Sequence, residues 1–189
     1  EGLNAAMPEA LRIVMTAEPD YIVMGMSAET FWGGVKGNAE FEQRVRDLTG
    51  REVTTGATAA GEALKAFGAK RIGIITPYQP VGDEQVVAYF TELGFEVAGI
   101  KGLCSESATS IATESPEKLR DAFLSVDGDD VDALIQCGTN LECAATAAAL
   151  EKEIGKPVIA INIATAWHAF RVNGIDDKIS GYGRLLEEH

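Results

Sequence analysis

Apolar residues fall into two alternating rhythms along the chain. From Leu3 to Ala17 they recur at helical intervals, and Tyr21–Met24 is then a short apolar run closed by Gly25. This is the pattern of an amphipathic helix followed by a strand buried on both faces. The spacing predicts helices over Phe41–Leu48, stopped by Gly50, and over Thr58–Phe67, stopped by Gly68, because glycine takes the left-handed conformation that ends a helix. Arg71–Thr76 reads as a strand closed by Pro77, Gln85–Leu93 as a helix and Phe95–Ile100 as a strand. A helix over Pro116–Ser125, a strand over Val131–Gln136 ending at Cys137, a helix over Ala144–Ile154, a strand over Pro157–Asn162 and a helix over Ala164–Val172 complete the series.

Strands of four to six residues separated by longer helices imply right-handed crossovers and a parallel sheet covered on both faces, so the expected class is α/β. With 189 residues the chain is long enough for one α/β unit or for two small lobes, each with its own core. The sequence opens at Glu1, already inside the first predicted helix and without an initiator methionine, and a preceding segment is expected.

Composition narrows the classes of partner. The formal charge of −13, from 29 acidic and 16 basic residues, opposes binding to a phosphate backbone or an anionic lipid surface, so neither nucleic acid nor membrane is expected. It does not oppose a small anionic ligand held by local hydrogen-bond donors. Cys104, Cys137 and Cys143 lack CxxC spacing and form no ligand cluster with His168 or His189, so no structural metal is expected. An odd number of cysteines, without a long apolar run or a signal-peptide pattern, suits a reducing cytoplasm. No glycine-rich phosphate loop is present, which weakens the case for a nucleotide or flavin. Val126-Asp-Gly-Asp-Asp130 has the start of a calcium loop but not its later ligands, and reads as a solvated loop.

In open parallel sheets ligands bind beyond the carboxyl ends of the strands. There the chain places Gly25-Met26-Ser27, Thr76-Pro77-Tyr78 and Cys137-Gly138-Thr139-Asn140. Each stretch alone is an ordinary turn. Together they supply backbone N–H groups, hydroxyls and one thiol, the parts of a pocket for a carboxylate or its enediolate. Cys137 is either a small buried hydrophobe or a thiol activated by the amino end of the following helix. Cys143, among the alanines of that helix, Cys104, in a loop, and His168 read as structural or surface residues.

These residues resemble the aspartate/glutamate racemase superfamily, and more closely its arylmalonate decarboxylase and maleate cis-trans isomerase branch. The match runs through Val53-Thr-Thr-Gly56, Ala63-Leu-Lys-Ala-Phe-Gly68 and Arg71-Ile-Gly-Ile-Ile-Thr-Pro-Tyr78, then Cys137-Gly-Thr-Asn-Leu141 and Gly181-Tyr-Gly-Arg-Leu-Leu186. The resemblance implies two flavodoxin-like lobes related by a pseudo-twofold axis, with the active site in the cleft between them. The first lobe would comprise residues 1–53 and 163–189, its first strand lying before residue 1, and the second lobe residues 54–162.

Tyr21-Ile-Val-Met-Gly25-Met-Ser27 and Ala133-Leu-Ile-Gln-Cys137-Gly-Thr139 end alike, so Gly25 falls where Cys137 sits in the other half. Two-base racemases of the superfamily carry cysteine at both positions, and the isomerases use the one at the Gly25 position. The pattern here, one glycine and one cysteine, is similar to that of the decarboxylases. By resemblance, the N–H groups of Met26 and Gly138 and the hydroxyls of Ser27 and Tyr78, with Gly25 and Thr139 beside them, hold the retained carboxylate in a dioxyanion hole while Cys137 protonates carbon. The implied activity is cofactor-independent decarboxylation of a malonate-type or related small dicarboxylate, in a chain for which the resemblance allows a homo-oligomer. Maleate-type isomerisation, a racemase-like activity and a non-catalytic carboxylate-binding module are the alternatives. Phe31 and Trp32 either line an apolar pocket for the departing carboxylate or pack under a loop.

Overall fold

The computed structural model describes residues 2–189; Glu1 lies outside them. Helix α1 (Gly2–Val14) runs through a 3-10 turn (Met15–Ala17) to strand β1 (Ile22–Val23). The short α2 (Ala28–Phe31), α3 (Gly34–Thr49), β2 (Val53–Thr54) and α4 (Gly56–Ala66) follow. Next come β3 (Arg71–Thr76), α5 (Pro80–Glu92), β4 (Glu96–Gly102), the single turn α6 (Ala108–Ile111), α7 (Pro116–Ser125) and β5 (Ala133–Gln136). The chain closes with α8 (Ala144–Ile154), β6 (Val158–Ala160), α9 (Ile161–Val172) and α10 (Arg184–Glu188).

All strand pairs are parallel, in two sheets: β1 beside β2, and a four-stranded sheet in the order β4-β3-β5-β6. The four-stranded sheet is covered on both faces, which is why its strands read as continuous apolar runs. Ile72, Ile74, Ala133, Ile135 and Ile159 meet Leu64 of α4, Phe90 of α5 and Trp167 of α9 in one core. The alternate residues Ile75, Leu134, Val158 and Ala160 meet Leu119 and Phe123 of α7 and Leu150 of α8 in another. A smaller cluster of Met7, Leu11, Ile22, Phe41, Val45 and Val53 packs α1 and α3 on the two-stranded sheet. Burying each large apolar side chain contributes about 1.5–3 kcal/mol, so the four-stranded sheet is the better anchored of the two.

Strand β3 and helices α7 and α8 coincide with the periodicity. Elsewhere the bounds are corrected. The expected strand Pro157–Asn162 is only Val158–Ala160, because Ile161, Ala164, Thr165 and Trp167 form the buried face of α9 and no polar residue marks the junction. Helix α5 begins at Pro80 rather than Gln85, proline being suited to a first helical turn. Helix α3 begins at Gly34 rather than Phe41, and α4 at Gly56 rather than Thr58, with Thr55 capping it by accepting the Thr58 N–H. The two-residue β2 and the short α2, α6 and α10 lie below the length at which periodicity is readable.

Candidate active site

The ends of β1, β3 and β5 converge. Phe31, almost fully buried, fixes α2 by edge-on contact with Tyr89, ring centroids 5.3 Å apart, and a tilted contact with Phe90 at 5.8 Å. This anchor holds the N-cap residue Ser27 in the interior, where the Thr30 hydroxyl donates to its carbonyl at 2.7 Å. Phe31 therefore belongs to the core and not to a pocket; Trp32 is half-exposed.

Ser27 joins the three turns. Its Oγ accepts the Thr139 N–H at 3.1 Å and shares a hydrogen bond with the Tyr78 hydroxyl at 3.1 Å. Two hydroxyl protons serve one mutual bond, which leaves the other free to donate to a ligand. The N–H groups of Met26 and Gly138 have no protein acceptor among the described residues. Gly138 adopts φ +130°, and a Cβ there would lie 2.5 Å from Pro77 Cδ, so only glycine fits so close to the β3 turn. The position of Gly25 is open, with nothing within 4 Å of an added Cβ.

Two polar side chains outside the sequence-predicted set hold this frame, Gln136 fully buried and Asp83 half-buried. Gln136 donates from Nε2 to the Gly138 carbonyl at 2.7 Å and accepts the Ile161 N–H at 3.4 Å, tying the β5 turn to the start of α9. A glutamine ending an otherwise apolar strand was the available signal. Asp83 accepts the Thr76 hydroxyl, and Thr76 Oγ1 in turn accepts the Tyr78 N–H at 3.1 Å. Nothing in the local pattern pairs Asp83 with Thr76, because α5 had been expected to start after it.

Gly25, Met26, Ser27 and Glu29, then Pro77 and Tyr78, then Gly138, Thr139 and Asn140 line one cleft of about 480 Å³, together with Ala108 and Ile111 of α6. A neighbouring depression of about 320 Å³ shares Tyr78, Ala108 and Ile111 and extends to Trp32 and Val81. Six of the seven candidate residues thus meet in one place, and α6 adds an apolar border that the sequence did not announce.

Cys137 immediately precedes this lining and is fully buried, its N–H donating to the Ile75 carbonyl at 2.9 Å. Of the two alternatives for Cys137, the structure favours the buried thiol over activation by a helix terminus. Helix α8 begins at Ala144, a turn of six residues later, and its N-cap is Cys143, which is therefore not within the helix. Burial pushes the Cys137 thiol well above the usual cysteine range, and the Asp83 charge adds to the effect. Cys143 is likewise pushed up to about 12 by burial. Burial also raises Tyr78, which the Ser27 hydrogen bond opposes and the charges of Glu29 and Asp83 reinforce. Both groups are neutral donors. Burial raises the carboxyl of Asp83 as well, against the Thr76 hydrogen bond.

Cys104 is exposed, and His168 sits away from the cleft with Nδ1 2.9 Å from Thr54 Oγ1. Burial holds His168 below the usual histidine range. Among the described residues no group of three or more His, Cys, Asp or Glu is placed to hold a metal ion, and no helix is long and apolar enough to cross a membrane.

Comparison with known proteins follows this geometry. The arylmalonate decarboxylase family profile matches residues 13–186. The chain is 29% identical over 197 residues to a maleate isomerase of Nocardia farcinica, covering 100% of this chain and 78% of that protein. It is also 29% identical over 205 residues to an arylmalonate decarboxylase of Bordetella bronchiseptica, covering 99% of this chain and 84% of that protein. A cysteine-to-serine variant of the Nocardia farcinica maleate cis-trans isomerase, solved with a covalently bound succinylcysteine intermediate, superposes with a TM-score of 0.93 at 26% identity. That match covers 98% of this chain and 78% of the other.

Proposed function

The chain belongs to the arylmalonate decarboxylase family, and from that premise we propose that it decarboxylates a malonate-type or related small dicarboxylate without metal or organic cofactor. The observation that carries this reading is the asymmetry of the two strand ends at the cleft: an open glycine at position 25 and, directly before the lining residue Gly138, a fully buried thiol at position 137 that burial shifts away from ionisation.

In this proposal the retained carboxylate accepts hydrogen bonds from the N–H groups of Met26 and Gly138 and from the free hydroxyl of the Ser27–Tyr78 pair. The bond from the α-carbon to the second carboxylate breaks, its electron pair passes into an enediolate, and carbon dioxide leaves. Preorganised donors of this kind stabilise such an anion by about 3–4 kcal/mol each. The Cys137 Sγ–H then protonates the α-carbon, and the thiolate takes a proton back from water. A thiol kept neutral by its surroundings suits this donor step, whereas attack on a double bond needs a thiolate. Two lobes, residues 1–53 with 163–189 and residues 54–162, are part of the same reading.

Maleate-type isomerisation is the second reading, favoured by the equal identity to the two relatives and by the superposition on the isomerase. Incubation with a prochiral substituted malonate in deuterated water separates the two. The decarboxylase reading expects carbon dioxide release and a product of one handedness carrying deuterium on one face. Conversion of maleate to fumarate with no reaction of any malonate would replace it with the isomerase reading.

A further inference from the structure

The cleft holds one charged side chain, and it is negative. Glu29, in the first turn of α2 and two residues beyond Ser27, is the only ionisable acid or base other than Tyr78 among the residues lining the 480 Å³ cleft. No lysine or arginine lines it. The carboxylate of Glu29 makes no hydrogen bond or ion pair with another described residue. It is half-buried, it lines the same cleft as Tyr78, and its charge is a lesser contributor to the raised Tyr78 hydroxyl.

A ligand with one carboxylate on the neutral donors would share this cleft with Glu29 and with no cationic lining residue, although Glu29 also borders a second depression with Glu40 and Arg44. A second anionic or an apolar substituent gains nothing there, while a positively charged one gains a charge-assisted hydrogen bond. We propose that Glu29 is a specificity-determining residue that receives a primary ammonium group, so that the preferred ligand bears an amino group on the carbon next to the carboxylate held by Ser27, Tyr78 and Gly138. This rests on the carboxylate-binding reading of the cleft and adds the identity of the α-substituent. The neutral donors and Glu29 together match the two ends of a zwitterion, and a chain of net charge −13 presents no field that opposes a cationic group.

The probes are aminomalonate and methylmalonate, which differ by an ammonium in place of a methyl of nearly the same size. Calorimetric binding to the wild-type chain and to Glu29→Gln and Glu29→Ala is compared. Wild type is expected to bind aminomalonate about tenfold more tightly than methylmalonate, the order of a hydrogen bond to a charged group. That preference should vanish in both variants, with methylmalonate bound at least as tightly as by wild type because a like charge has been removed. Equal binding of the two probes by wild type, an undiminished preference in Glu29→Gln, or binding of neither probe would overturn the inference. The reaction itself is scored separately. Glu29-dependent binding without carbon dioxide release defeats decarboxylation and leaves the ammonium site standing; turnover of both malonates with unchanged KM in Glu29→Gln does the reverse.

Discussion

The cleft is bordered by two turns of like sequence and unlike surroundings. Gly25-Met26-Ser27 leaves a two-stranded sheet, and Gly25 is exposed, with free space where a side chain would stand. Cys137-Gly138-Thr139 leaves the four-stranded sheet, where Cys137 is sealed by the core and Gly138 is pressed against Pro77. The difference separates two jobs. One turn offers donors and room, and the other holds a proton-bearing thiol in a rigid, dry setting. Ser27 bridges them through Tyr78 and the Thr139 N–H, so neither turn keeps its geometry without the other.

The largest expected effect comes from removing the thiol. Cys137→Ser should lower turnover by about 10²–10⁴-fold, the usual cost of losing a general acid. Adding Gly25→Cys to that variant should restore part of the rate and favour the mirror-image product, because the added Cβ meets nothing within 4 Å. Chiral analysis of product from the single and double variants checks this. Unchanged activity in Cys137→Ser would remove the thiol from the mechanism and leave a carboxylate-binding module as the better account.

Next comes a stability contrast between the two glycines. Gly138→Ala should cost about 2–4 kcal/mol, from left-handed strain and overpacking on Pro77. Gly25→Ala should stay within about 0.5 kcal/mol, as open surface positions do. Urea midpoints at equal m-value measure both. Similar losses at the two sites would mean that the turns are not as differently packed as the geometry indicates.

The smallest expected effect is an absence of change with pH. An exposed cysteine loses its proton near pH 8.5. Burial raises Cys137, so its proton-bearing form persists as pH rises past that value, and turnover should remain flat from pH 7 to about 9.5. A fall in kcat centred near pH 8.5 would show that the thiol is solvated during turnover, and would erase the contrast with the open turn.

Much of this architecture follows from the order of residues alone. Apolar runs as short as Ile72–Ile75 and Ala133–Ile135, each bounded by turn residues, fit strands buried on both faces, and the small polar residues after them mark where such strands stop. The α/β class and six residues of the cleft lining were legible for that reason, since a strand end is a local event. Family membership was legible from motifs spread over nearly the whole chain, which the matched span of residues 13–186 shows.

Other features depend on contacts between distant segments. Gln136 reads as an ordinary strand end until α9 brings the Ile161 N–H to its Oε1. Asp83 lies ahead of the helix expected from Gln85, and only the fold sets it against Thr76 of β3. The state of Cys137 was open in the sequence, between a small buried hydrophobe and a thiol activated by the following helix, and only the fold favours the first. Solvation and packing decide a pKa, and here the β3 and β5 layer excludes water while the helix terminus stands a turn away. Glu29 makes the same point in the opposite sense. Its residue type was visible from the beginning, but only the folded chain puts it in one cleft with Ser27, Tyr78 and Gly138.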